Sequence, residues 1–93
     1  MSAGDYTGGI CGESQDIYLI EETGNWRATL QFDSSVGQLG MVSIPLNDLN
    51  TFEESTVVND NQQIIESSGE MYLGIYGIEN ASAPYSLSIE VIE

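Results

Sequence analysis

Apolar and polar residues alternate with a period of two along most of the chain. In Trp26-Arg27-Ala28-Thr29-Leu30-Gln31-Phe32, the residues Trp26, Ala28, Leu30 and Phe32 fall on one side and Arg27, Thr29 and Gln31 on the other. That spacing marks a strand with one buried face, because successive side chains of an extended backbone point in opposite directions. Residues 84–92 repeat the pattern, with Tyr85, Leu87, Ile89 and Val91 set against Ser86, Ser88 and Glu90. Residues 70–77 form a third strong strand, placing Met71, Leu73 and Ile75 on one face and Tyr72 and Tyr76 on the other. Shorter runs at 16–20, 39–46, 55–58 and 62–65 complete the set, and Pro45 sits near a strand end, where proline is tolerated.

Turn chemistry separates these runs. Glu22-Thr23-Gly24-Asn25, Asp33-Ser34-Ser35, Asn59-Asp60-Asn61 and Ser67-Ser68-Gly69 are rich in the residues that accept tight backbone bends. Residues 47–54 read as a polar loop with room for one helical turn. No segment sustains a helical period with caps. The pattern predicts an all-β fold, an antiparallel, jelly-roll-like β-sandwich of about six to eight short strands. Residues 1–15, rich in Gly with little apolar periodicity, read as a linker or loosely pinned N-terminal arm, and residues 16–93 as a single sandwich domain.

Composition narrows the function. Ninety-three residues with 41% apolar content suffice for one thin core. No run approaches the roughly 20 apolar residues of a membrane helix. Residues 1–5 have neither the basic nor the apolar region of a signal peptide. Fifteen carboxylates against the single cation Arg27, with no Lys or His, give a formal charge of −14. Such a surface repels nucleic acid and anionic lipid, so neither nucleic-acid binding nor membrane insertion is expected. It suits salty or calcium-rich surroundings, or an acidic interaction protein that mimics DNA or inhibits a basic partner.

Catalysis has few candidates here. The chain has no His or Lys, no phosphate-binding Gly loop and no metal-ligand spacing of Cys and His. The adjacent pairs Glu21-Glu22 and Glu53-Glu54 point to opposite faces of a strand rather than converging. Cys11 is alone, so it has no partner for an internal disulfide and no His base to activate it. The expectation is a protein that is not an enzyme. Calcium is the one cofactor to consider, since hard cations take carboxylate and carbonyl oxygens. Asp5, Glu13, Asp16, Asp48 and Asp60 are the candidate ligands, although none lies in an EF-hand spacing and all serve equally well as turn formers or solvated charges.

Tyr72 and Tyr76 are the candidate binding residues. They flank Gly74 on one strand face, about 14 Å apart along the strand, over a floor kept shallow by the glycine. An exposed tyrosine offers an apolar ring and a polar tip, which suits a sugar ring or a peptide strand. The pair reads equally as ordinary strand tyrosines or as tyrosines covered by a neighbouring domain. Asn80-Ala81-Ser82 matches a glycosylation acceptor, a short sequence that recurs by chance.

The strand motifs resemble those of the bacterial pre-peptidase C-terminal domain family and, more distantly, the collagen-binding domains of bacterial collagenases. Asp16-Ile17-Tyr18-Leu19-Ile20 is similar to the family's first strand, and Gly24-Asn25-Trp26-Arg27-Ala28-Thr29-Leu30 to its second. Gly69-Glu70-Met71-Tyr72-Leu73-Gly74-Ile75-Tyr76-Gly77 and Tyr85-Ser86-Leu87-Ser88-Ile89 fit its closing strands. The similarity covers about residues 16–91. It departs where the family has Asp-Leu-Asp after a glycine and this chain has Gln38-Leu39-Gly40 after Gly37, so roles of those aspartates are not carried over. The resemblance implies a jelly-roll-like sandwich attached to secreted hydrolases or surface adhesins. The calcium ligands of the collagenase branch lie in an N-terminal acidic segment that residues 1–16 match poorly. The expected function is a non-catalytic extracellular or cell-surface accessory module. Its expected partners are an extracellular protein or polysaccharide polymer or adjacent domains of its parent chain. The alternatives are the acidic interaction protein and a calcium-stabilised adhesin segment.

Overall fold

A computed structural model describes residues 4–11, 15–48 and 50–92, apart from the side chain of Asn80. Among the described residues, nine strands run in the order β1 (Gly4–Ile10), β2 (Gln15–Ile20), β3 (Asn25–Phe32), β4 (Leu39–Pro45), β5 (Glu53–Glu54), β6 (Thr56–Asn59), β7 (Gln62–Ser68), β8 (Met71–Gly77) and β9 (Ala83–Val91), with a 3-10 turn Ile78–Asn80 between the last two. They form two antiparallel sheets. The larger has the order β1-β9-β3-β7-β6 and the smaller β2-β8-β4-β5. The chain crosses from one sheet to the other at most connections, which gives the jelly-roll wiring expected from the sequence. No helix among the described residues is long and apolar enough to cross a membrane.

The strand count exceeds the expected six to eight because the two-residue β5 forms at the end of the stretch expected as a polar loop, pairing with β4, and because the N-terminal segment joins the fold. Residues 4–10, expected as a linker or loose arm, pair with β9 over seven residues, from Gly4 opposite Ile89 to Ile10 opposite Ala83. The physical reason is an alternation disguised by glycine. Ile10 is buried and Tyr6 packs on the core, while Gly8 between them leaves room for the ring of Tyr85. A Cβ on Gly8 would lie 2.6 Å from the Tyr85 hydroxyl. Period two is therefore present in β1, with its middle apolar position filled by a neighbour's side chain.

The inner faces form one core. β3 contributes Trp26, Ala28, Leu30 and Phe32, β9 contributes Tyr85, Leu87 and Ile89, β4 Leu39 and Met41, and β8 Leu73 and Ile75. Burying each large apolar side chain contributes about 1.5–3 kcal/mol before conformational entropy is subtracted. Trp26 also donates from Nε1 to the Gly69 carbonyl at 2.8 Å. Gly69 holds φ +78° in the bend before β8, a conformation that favours glycine.

Polar ties close both margins of the sandwich. On the β2 side, the Tyr85 hydroxyl crosses from the larger sheet and donates to the Asp16 carboxylate, while Tyr18 donates to Tyr85. On the β4 side, Gln63 of β7 donates to the Leu39 carbonyl at 2.8 Å and accepts from the Ser55 hydroxyl. Each tie satisfies a polar group that would otherwise be desolvated without a partner.

Candidate functional site

The outward face of the smaller sheet carries the side chains that its inward face leaves over, and these are largely apolar. Antiparallel partners share a face, so the register defines three rows across β2, β8 and β4. Leu19, Tyr72 and Ile44 make one row, and Ile17, Gly74 and Val42 the next. Gln15, Tyr76 and Gly40 make the third. Ile17 is 59% exposed, and Leu19 and Tyr72 are each 37% exposed. Val42, Ile44 and Tyr76 are half-buried.

Glycine shapes this face in two places. Tyr76 lies over Gly40, where an added Cβ would come within 2.5 Å of the ring carbon that bears the hydroxyl. Its ring therefore leans across β4, away from Gly74. At Gly74 an added Cβ would meet only Val42, at 3.4 Å, so the middle row is a low saddle between Ile17 and Val42. Carboxylates border the patch. Glu54 of β5 pairs with Val42 and shares its face. Glu21 lies two residues past Leu19, Glu70 two residues before Tyr72, and both are exposed.

Sequence reasoning placed Tyr72 and Tyr76 on one outward face, and the structure brings them there. It missed Ile17, Leu19, Val42 and Ile44, which make most of the patch. Asp16-Ile17-Tyr18-Leu19-Ile20 is apolar in both phases of the alternation, so the pattern alone gave no way to tell which residues face out.

The calcium candidates do not converge. Asp5 lies on the outward face of the larger sheet, opposite Ser88. Asp16 points inward and accepts from Tyr85. Asp48 closes its own loop, accepting from the Asn50 backbone at 3.3 Å and the Thr51 hydroxyl at 2.6 Å. Asp60 is exposed in the β6–β7 turn, and Glu13 lies outside the described residues. Among the described residues, no three acidic, Cys or His side chains stand close enough to share a metal ion. Asp48 and Asp60 belong to separate turns, Asp16 to the inter-sheet tie and Asp5 to a strand of the other sheet. Cys11 is exposed just after β1.

The electrostatics of the fold are otherwise local. Burial, followed by the nearby Asp16 carboxylate and Tyr18, pushes the Tyr85 phenol far above its ordinary value. Hydrogen bonds from the Ser35 hydroxyl and backbone hold Asp33 below its ordinary value. On the outward face of the larger sheet, Arg27 stands between Glu90 at 3.3 Å and Glu66 at 3.4 Å, its cross-strand neighbours. Apart from Ile64, which pairs with Thr29, the neighbouring positions of that face on β1, β3 and β9 are polar. Asp5, Thr7, Thr29, Gln31, Ser86 and Ser88 line a shallow open groove of about 460 Å³.

No family model and no curated protein sequence matches the chain. Solved structures do share its fold. The pre-peptidase C-terminal domain of collagenase from Bacillus anthracis superposes with a TM-score of 0.80 at 18% identity, over 97% of this chain and 91% of that one. PliG of Aeromonas hydrophila, a periplasmic inhibitor of g-type lysozyme, gives 0.65 at 13% identity, over 97% and 86%. The Yersinia pseudotuberculosis-derived mitogen gives 0.64 at 16% identity, over the same shares. The resemblance read from the strand motifs is thus borne out in the fold.

Proposed function

We propose that this chain is a non-catalytic accessory module of a secreted or surface protein, docking through the outward face of its smaller sheet. The observation that carries the reading is that face itself. A sandwich of this size needs apolar residues only between its sheets, yet Ile17, Leu19 and Tyr72 stand exposed beside Val42, Ile44 and Tyr76. The likeness to a domain of a collagenase supports a role beside another domain, attached to an extracellular protein or polysaccharide. The lack of His and Lys supports a role without chemistry.

The test is retention of the purified chain on insoluble collagen and on chitin. The wild type is expected to be retained on one of them, and replacing Tyr72 and Tyr76 together by Ala to cut retention about tenfold with the fold intact. Failure of the wild type on both matrices removes the polymer and leaves a spacer packed against a neighbouring domain.

A second reading, an acidic inhibitor of a basic enzyme, draws on the formal charge of −14 and on the shared fold of a lysozyme inhibitor. Inhibition of a g-type lysozyme by stoichiometric amounts of the chain would favour it over the accessory module.

A further inference from the structure

We infer that the partner of the outward face of β2, β8 and β4 is a protein surface with an apolar centre and a rim of Lys and Arg. This rests on the docking face proposed above and names what fits it. A sugar polymer stacks on aromatic rings, whereas four of the six large side chains here, Ile17, Leu19, Val42 and Ile44, are aliphatic. Aliphatic pads take apolar side chains of another protein.

Three strands about 4.8 Å apart and three rows about 6.8 Å apart give a patch of roughly 300 Å². A stable protein contact takes about 800 Å² from each partner. A stable complex must therefore extend well past the apolar rows, onto a margin whose charged groups are all carboxylates, interspersed with the exposed Leu46 after β4 and Phe52 before β5. Glu54 flanks Val42, and Glu21 and Glu70 follow the ends of the Leu19–Tyr72 row. The only cation of the chain, Arg27, sits on the outward face of the other sheet.

A second copy fits this face poorly. A two-fold pairing of this face would set the same carboxylates against themselves, with each molecule carrying a formal −14. A partner whose apolar centre is ringed by Lys and Arg has the opposite consequence. It is drawn in at low salt and excluded when its rim is acidic.

The experiment follows amide chemical shifts of the isotope-labelled chain during titration with two synthetic strand peptides. Both present the same Leu-Tyr-Leu apolar face, one flanked by Lys and the other by Glu. The Lys peptide is expected to shift signals of β2, β4 and β8, with affinity that falls as salt is added. The Glu peptide is expected to leave them in place. Two triple variants separate the rim from overall charge, since each removes three carboxylates. Glu21→Gln, Glu54→Gln and Glu70→Gln together weaken the Lys peptide about tenfold. Asp5→Asn, Asp60→Asn and Glu90→Gln together weaken it less than twofold.

Equal weakening by both variants, or shifts mapping to the larger sheet, overturns the inference. Equal binding of the two peptides at this face also overturns it while leaving the docking face standing. Concentration-dependent shifts of the same residues without peptide overturn it in favour of self-association. If neither peptide shifts the face, the docking reading falls together with the inference.

Discussion

The two outward faces of the sandwich answer the same geometric demand in opposite ways. Both belong to antiparallel sheets whose inward sides are buried, and both are free to be polar. The larger sheet uses that freedom, with Thr7, Ser86 and Gln31 in one row, Asp5, Ser88 and Thr29 in the next, and Arg27 between two glutamates. The smaller sheet does not. Its outward rows are filled by Ile17, Leu19, Val42, Ile44 and two tyrosines. Folding stability does not ask for Ile17, Leu19 and Tyr72, because exposed apolar side chains gain little from the folded state. The difference teaches that sheet pairing and core packing account for most of one outward face, where Ile64 opposite Thr29 is the apolar exception, and leave the apolar rows of the other without a role in the fold.

The largest expected effect tests the in-and-out assignment on a single strand of the smaller sheet. Leu73 is fully buried between the sheets, and its neighbour Tyr72 lies on the opposite face. Leu73→Ala is expected to cost about 2–5 kcal/mol in chemical denaturation, the loss of transfer energy plus a cavity. Tyr72→Ala is expected to cost less than about 1 kcal/mol while reducing retention on the cognate matrix. Equal losses would mean that Tyr72 is as essential to the fold as Leu73, and the contrast between the two faces would collapse.

A middle-sized effect probes the tie that holds the faces in their places. Tyr85 reaches from the larger sheet to Asp16 of the smaller one, so Tyr85→Phe leaves a partly buried carboxylate without its donor. The expected loss at neutral pH is about 1–3 kcal/mol. The pH dependence has a definite sign. The phenol is pushed above its ordinary value in the folded chain, so above about pH 10 the unfolded chain gives up a proton that the folded chain retains. Stability from this group is full below pH 10 and falls as pH rises beyond it. The Phe variant, having no proton to lose there, should show a shallower alkaline decline in melting temperature than the wild type.

Much of this architecture is written in local alternation, and two of the exceptions share a cause. β3, β8 and β9 were legible because their polar and apolar positions separate cleanly, which also put Tyr72 and Tyr76 on one outward face. β1 was not legible, because the ring of Tyr85 fills the space that a side chain at Gly8 would take. The phase of β2 was not legible either. Tyr18 and Ile20 are as apolar as Ile17 and Leu19, and what turns the strand is Asp16 meeting a tyrosine 69 positions away. In β4 the rule is locally reversed, with Ser43 buried and Val42 and Ile44 on the outside. In β1 and β2 the deciding residue is Tyr85, distant in sequence and absent from any local window, whereas no contact of the buried Ser43 hydroxyl explains the phase of β4.

The smallest expected effect concerns the polar face and asks whether it depends on its one cation. Arg27 stands 3.3 Å from Glu90 and 3.4 Å from Glu66, but all three side chains are more than a third exposed, so water and salt screen the attraction. Arg27→Gln is therefore expected to cost at most about 1 kcal/mol at low ionic strength. Part of that arises because Glu66 and Glu90 would face each other across β3 without the charge between them. Added salt should erase the difference between variant and wild type in melting temperature. A loss that persists in high salt would instead point to packing of the Arg27 stem, whose Nε is buried without a hydrogen-bond partner among the described residues. In that case the polar face would owe its order to contact rather than to charge, and the two faces would differ less in kind than their residue types imply.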